Sequence, residues 1–152
     1  AAGLLSLMGV FDLIGTTASG WLTDRYDPRR LLFVYYGLRG VSLIVLPYTN
    51  FSFYSLSIFA VFYGLDWIAT VPPTLRLATD AFGERDAPIV FGWIVAGHQI
   101  GAATAAWMGG AIRQATGSYL MAFVISGATG IAAAVIALMV KRQRATPEPV
   151  AA

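Results

Sequence analysis

Residues 20–30 read GWLTDRYDPRR, five charged side chains in eleven positions, and they stand between two runs, 3–22 and 31–49, that contain almost no charge. A helix needs ~20 mostly apolar residues to cross a bilayer, so the segment reads as a short charged turn joining two spans. Working outward, three further apolar runs occur at 53–73, 88–111 and 117–140. They are too long and too rich in Gly and Ala for the strands of a membrane barrel. The fold class expected is all-α: a polytopic transmembrane bundle of five spans in a partial transmembrane domain at 1–140, with a tail at 141–152.

The composition agrees. Of 152 residues, 57% are hydrophobic and 12% are charged, about half the charge of an ordinary soluble domain, and the mean hydropathy is +0.68. No long polar or single-sign stretch exists that would suit a disordered or nucleic-acid-binding region. With no cysteine and a single histidine, His98, the chain has neither a disulfide framework nor enough soft ligands for a metal centre. No GxxxxGK[ST] loop occurs, and no cofactor is expected.

Basic residues fix the expected orientation. The first, third and fifth connectors hold eight Lys and Arg between them and the others hold one, Arg113. The positive-inside rule therefore places those three connectors and the C-terminus in the cytoplasm and Ala1 outside. A start at Ala1 within an apolar run predicts further helices upstream. Trp21 and Tyr26 at the inner surface, and Tyr48, Phe51, Phe53 and Tyr54 at the outer one, suit interfacial anchoring. The ending KRQRATPEPVAA reads as a polar cytoplasmic tail.

Four ionisable residues fall well inside the spans: Asp12, Arg39, Asp66 and His98. A charge at the bilayer centre costs roughly 2.5–3.5 kcal/mol on the insertion scale, so these groups require partners or water. On the first span Ser6, Gly9, Asp12, Thr16, Ser19 and Thr23 form one polar stripe at helical spacing. On the third, Phe59, Tyr63, Asp66 and Thr70 form an aromatic and carboxylate face, followed by Pro72 and Pro73, which kink or end the helix. On the fourth, Gly97 and Gly101 form a GxxxG pair beside His98 and Gln99. Arg39 cannot lose its charge and needs Asp12, Asp66 or a bound anion as counter-charge. Asp12, Tyr63, Asp66, His98 and Gln99 are the candidate substrate or proton-coupling residues, with Arg39 in charge pairing. The fifth span has no ionisable residue; its stripe of Gly127, Gly130, Ala134 and Ala137 suits a peripheral helix.

The segment 20–30 also resembles the signature loop of the major facilitator superfamily: Gly, three residues, Asp, a basic residue, any residue, Gly, any residue, two basic residues. Gly20, Asp24, Arg25, Arg29 and Arg30 match in register, while Asp27, followed by Pro28, replaces the second Gly. That departure is similar to the weaker copy of the loop between the family's eighth and ninth helices, which makes the five spans helices eight to twelve. Helices two to six fit the topology as an alternative but leave the Pro-containing tail as a central linker. Residues 72–92, PPTLRLATDAFGERDAPIVFG, are similar to the loop between helices ten and eleven in bacterial members akin to oxalate/formate and monocarboxylate carriers.

The resemblance implies a twelve-helix carrier of a small organic solute, including organic anions, working by alternating access from a site between two six-helix halves. It implies that Gly20, Asp24, Arg25, Arg29 and Arg30 form a cytoplasmic gate, with Asp24 pairing with an arginine or a helix end. It also places Asp12, Asp66 and His98 on cavity-flanking helices and Arg39 on a peripheral one. Expected partners are a small solute, H+, the lipid bilayer of a bacterial inner membrane and the absent helices of the same chain, and no nucleic acid. The competing readings are an intramembrane protease, using His98 with Ser19 or Ser126, or Asp12 with Asp66, and a non-transporting sensor of the same fold. Neither serine lies in the Gly-x-Ser-Gly setting such proteases show, and GLDW at 64–67 lacks Gly-x-Gly-Asp.

Overall fold

The computed structural model describes residues 2–141; of the expected tail only Lys141 falls within them, and Arg142 and Arg144 lie outside. Among the described residues the secondary structure is helical throughout: α1 (Ala2–Thr23), α2 (Pro28–Val45) running into a 3-10 turn at Leu46–Tyr48, α3 (Phe53–Asp66), α4 (Val71–Thr116) and α5 (Leu120–Met139). At 22 residues, α1 is about 33 Å long, enough for a hydrocarbon core of roughly 30 Å. Four helical stretches are long and apolar enough to cross a membrane, and the third, Phe53–Thr116, holds 64 residues.

That third stretch differs from the expected pattern of a span at 53–73, a loop and a span at 88–111. Helix α3 stops at Asp66, and Pro72 and Pro73 lie in the first turn of α4 instead of ending a helix. Proline suits a first turn because its missing N–H would have no intrahelical acceptor there. Residues 74–82, expected as loop, are helical, with Thr74 and Thr79 hydroxyls donating to carbonyls four residues back and Arg76 paired with Asp80 at 3.1 Å. The helix is broken at Gly83, whose φ of 81° lies in the region that glycine alone enters cheaply. Thr70, Val71 and Thr74 before the break share a cavity with Phe91, Ile94 and His98 after it, so α4 doubles back at Gly83.

Small residues set the packing, as they do where lipid removes the hydrophobic drive between helices. The buried set is dominated by Ala60, Ala69, Ala78, Ala87, Ala134 and Ala137, while large apolar side chains face outward. Helix α1 meets α3 where Gly15 opposes the Leu65 carbonyl and a Cβ on Gly64 would come within 2.6 Å of the Met8 carbonyl oxygen. Helix α2 meets α5 where a Cβ on Gly40 would sit 2.6 Å from the Gly127 oxygen and one on Gly130 3.1 Å from the Gly40 Cα. The small-residue stripe of α5 is therefore the seat of α2. By contrast, nothing lies within 4 Å of a Cβ on Gly20, Gly97 or Gly101, so no close approach is made there among the described residues. The expected anchors Trp21, Tyr26, Tyr48, Phe51, Phe53 and Tyr54 are all exposed.

Candidate functional site

The site begins with two prolines. In an unbroken helix the N–H groups of residues 72 and 73 would bond to the carbonyls of Ile68 and Ala69; proline has no N–H, so both acceptors need other donors. The Ile68 carbonyl takes the Val71 N–H at 2.9 Å, and the Ala69 carbonyl takes the buried Ser19 hydroxyl of α1 at 2.5 Å. The tightened turn also moves the Trp67 N–H onto the Gly64 carbonyl at 3.2 Å, which leaves the Ile68 N–H without its usual acceptor. Asp12 supplies one, its Oδ1 accepting from Ile68 N at 3.0 Å. Arg39 of α2 completes the set: its Nη2 donates to the Asp66 carbonyl and, at 3.0 Å, to the Trp67 carbonyl. Side chains from two neighbouring helices thus satisfy the backbone groups that the interruption at 67–70 releases.

Arg39 also fixes the carboxylate beside the interruption. Its Nε donates to Asp66 Oδ2 at 2.9 Å, with the two side chains 18% and 8% exposed. Of the counter-charges open to Arg39 from the sequence, Asp66 is the one adopted. The other carboxylate oxygen, Oδ1, is buried and has no hydrogen-bond partner among the described residues, and the same holds for Thr16 Oγ1 on α1. A buried carboxylate with one oxygen held by a guanidinium and one without a partner retains the capacity to take a proton.

Arg39 lines a cavity of about 200 Å³ whose wall also includes Tyr36, Trp67, Thr70, Phe91 and His98. This is below the roughly 300–1,000 Å³ of sites that enclose drug-sized ligands. The guanidinium carbon lies 5.9 Å from the centre of the Tyr36 ring, within cation–π range. His98 enters from the returning limb of α4, so an arginine and an imidazole face one opening from different helices.

The other expected site residues fall in different places. Asp12 bonds to Ile68, a wall residue, but does not itself line the cavity. Tyr63 lies behind the wall, stacked on Phe59 at 5.0 Å and edge-on to Trp67 at 5.5 Å. Gln99 is exposed and off the cavity. Three of the expected protease residues are engaged otherwise among the described residues: the Asp66 carboxylate pairs with Arg39, Asp12 serves a backbone amide, and Ser19 donates to a carbonyl. Tyr36 and Trp67 had no standing as wall residues in the sequence, whereas Thr70 belongs to the aromatic and carboxylate face expected there. The double proline, read backward by four residues, points to Ile68, itself a wall residue, and to Ala69.

The loop at 20–30 is ordered by its own residues. Asp27, in place of the expected glycine, caps α2 by accepting from Arg29 N at 3.0 Å, with Pro28 in the first turn. The Arg29 side chain binds Asp27 at 2.6 Å and donates to the Val140 carbonyl at 3.2 Å, tying the turn to the C-terminal end of α5. Arg25 stacks over Trp21 at 4.0 Å, while Asp24 and Arg30 are exposed.

A sequence profile described as Major Facilitator Superfamily matches residues 1–152. The chain is 34% identical over 130 residues to Monocarboxylate transporter 13 of Rattus norvegicus, an alignment covering 84% of this chain and 30% of that protein. It is 30% identical over 153 residues to Monocarboxylate transporter 12 of Homo sapiens, covering 96% of this chain and 30% of that protein. It is 28% identical over 134 residues to Monocarboxylate transporter 12-B of Danio rerio, covering 84% and 27%. The chain therefore spans less than a third of the length of these relatives. No solved structure matches it.

Proposed function

As this chain belongs to the Major Facilitator Superfamily, we propose that it forms part of a proton-coupled secondary transporter for a small organic anion, working by alternating access. The observation that carries this reading is the Arg39–Asp66 pair at the interruption of the third span, beside a small cavity that His98 also lines. An anionic solute entering the cavity competes with the Asp66 carboxylate for the Arg39 guanidinium. Protonation of Asp66 releases Arg39 to the solute, so one proton and one anion enter together and the net charge of the site is unchanged. His98 contributes a second donor to the same anion, or a second proton acceptor. The names of the vertebrate relatives, Monocarboxylate transporters 13 and 12, support a monocarboxylate as the anion.

In this reading α1, α2 and α5 each cross the membrane once, and the 64-residue stretch crosses twice because it folds back at Gly83, giving five crossings. The first, third and fifth connectors lie at the cytoplasmic face of a bacterial inner membrane, on the strength of the eight basic residues they carry against one. The remaining helices of the carrier complete the cavity, and the turn at 20–30 acts as the cytoplasmic gate.

Uptake of radiolabelled short-chain carboxylates by the full-length protein in proteoliposomes tests this. The expected result is saturable uptake that an acidic exterior accelerates, that other small carboxylates inhibit, and that Arg39→Gln abolishes. Uptake insensitive to Arg39→Gln, or equal for the corresponding neutral amides, would contradict it.

A further inference from the structure

We infer that Asp12 and Ser19 are positioning residues that clamp the interrupted third span, with Asp12 acting as a hydrogen-bond acceptor and not as a proton carrier. The inference rests on the transport reading above and divides two mid-membrane carboxylates of similar sequence setting into different roles.

The division follows from what each carboxylate touches. Asp12 Oδ1 accepts from Ile68 N, and one helical face along from it Ser19 Oγ donates to Ala69 O. One helix thus meets both a stranded donor and a stranded acceptor, at positions three residues before and four residues after Gly15, where α1 has no side chain to hold the backbones apart. Such a reciprocal contact can form in only one register of α1 against α3. Asp12 has no cationic partner among the described residues, and the bond it makes to a neutral amide needs an oxygen lone pair alone. Asp66 is the reverse case: its bond is to a guanidinium and depends on its charge.

The charged and titratable groups around the interruption are Asp12 from α1, Arg39 and Tyr36 from α2, Tyr63 and Asp66 from α3, and His98 from the returning limb of α4. Helix α5 has none between Leu120 and Met139. Of these, Asp12 alone is bonded to the main chain through an atom that asparagine reproduces, whereas Asp66, which like Asp12 lies off the cavity wall, is held by the Arg39 guanidinium.

Two readouts on the full-length protein in nanodiscs or proteoliposomes test the assignment. Hydrogen exchange of peptides covering residues 64–71 should be unchanged in Asp12→Asn, and at least tenfold faster at Ile68 in Asp12→Ala, with a smaller acceleration in Ser19→Ala. Unchanged exchange in Asp12→Ala overturns the clamp. The pH profile of uptake should keep its shape in Asp12→Asn and lose its acid acceleration in Asp66→Asn. A flattened profile in Asp12→Asn overturns the assignment of roles. If both asparagine variants keep the wild-type profile while exchange responds to Asp12→Ala, the proton-coupling proposal fails and the clamp stands.

Discussion

Arg39 reaches three acceptors at once, a carboxylate oxygen and two carbonyls, because the guanidinium presents several donors in a rigid plane. Lysine offers one rotating point charge and cannot bridge them. Arg39→Lys should therefore lower uptake at least tenfold, about 1.4 kcal/mol of lost stabilisation, at unchanged membrane abundance; activity within twofold of wild type would show that charge alone suffices. Removing the other partner is a question of stability. Asp66→Ala leaves the guanidinium without its counter-charge, a change worth roughly 3–5 kcal/mol for a buried pair, and thermal unfolding in detergent should show Asp66→Asn to be milder. At this scale the sequence was informative: the need to neutralise Arg39 pointed to Asp12 or Asp66 on energetic grounds. It could not choose between them, since the choice depends on where α3 stops. Asp27 is a second case: against the signature pattern it is a missing glycine, while in the folded chain it is the cap of α2. Asp27→Ala should loosen the first turn of α2 by about 1 kcal/mol and Asp27→Asn by much less, read from exchange of the amides at 28–32.

The elements differ in how legible they were. Helices α1, α2 and α5 lie close to the apolar runs that announced them, because length and hydropathy alone define a membrane helix. The third and fourth spans were placed less well. Hydropathy does not register that Pro72 and Pro73 start a helix as readily as they stop one, nor that a polar connector can itself coil. Packing depends on the facing helix: GxxxG at Gly97 and Gly101 is the conspicuous motif, while among the described residues the tight seams join Gly40 to Gly127 and Gly130, and Gly15 and Gly64 to the facing backbones. A motif states that an approach is permitted, and only the facing helix decides whether it is made. Gly40→Val must displace the α5 backbone and Ile131, and should destabilise the protein by roughly 1–3 kcal/mol, read as a lowered detergent melting temperature. Gly20→Ala, where nothing lies within 4 Å, should leave that temperature unchanged.

At the scale of the whole molecule, the described residues expose an apolar exterior and gather polar groups on the face where α1, α2 and both limbs of α4 meet the interruption. This asymmetry is what a membrane-embedded carrier requires, and since the chain contains no cysteine it can be mapped by introducing one at a time. Thr74→Cys in the cavity wall should react with a water-soluble thiol reagent and be protected by solute, whereas Leu13→Cys, on an outward apolar face, should stay unreactive. The central claim, that solute and proton meet at the Arg39–Asp66 pair, is tested most directly by recording proton movement with a pH-sensitive dye inside proteoliposomes while a carboxylate gradient is imposed. Wild-type protein should acidify the lumen as the anion enters, and Asp66→Asn should exchange the anion without acidification. Equal acidification by Asp66→Asn would contradict the account.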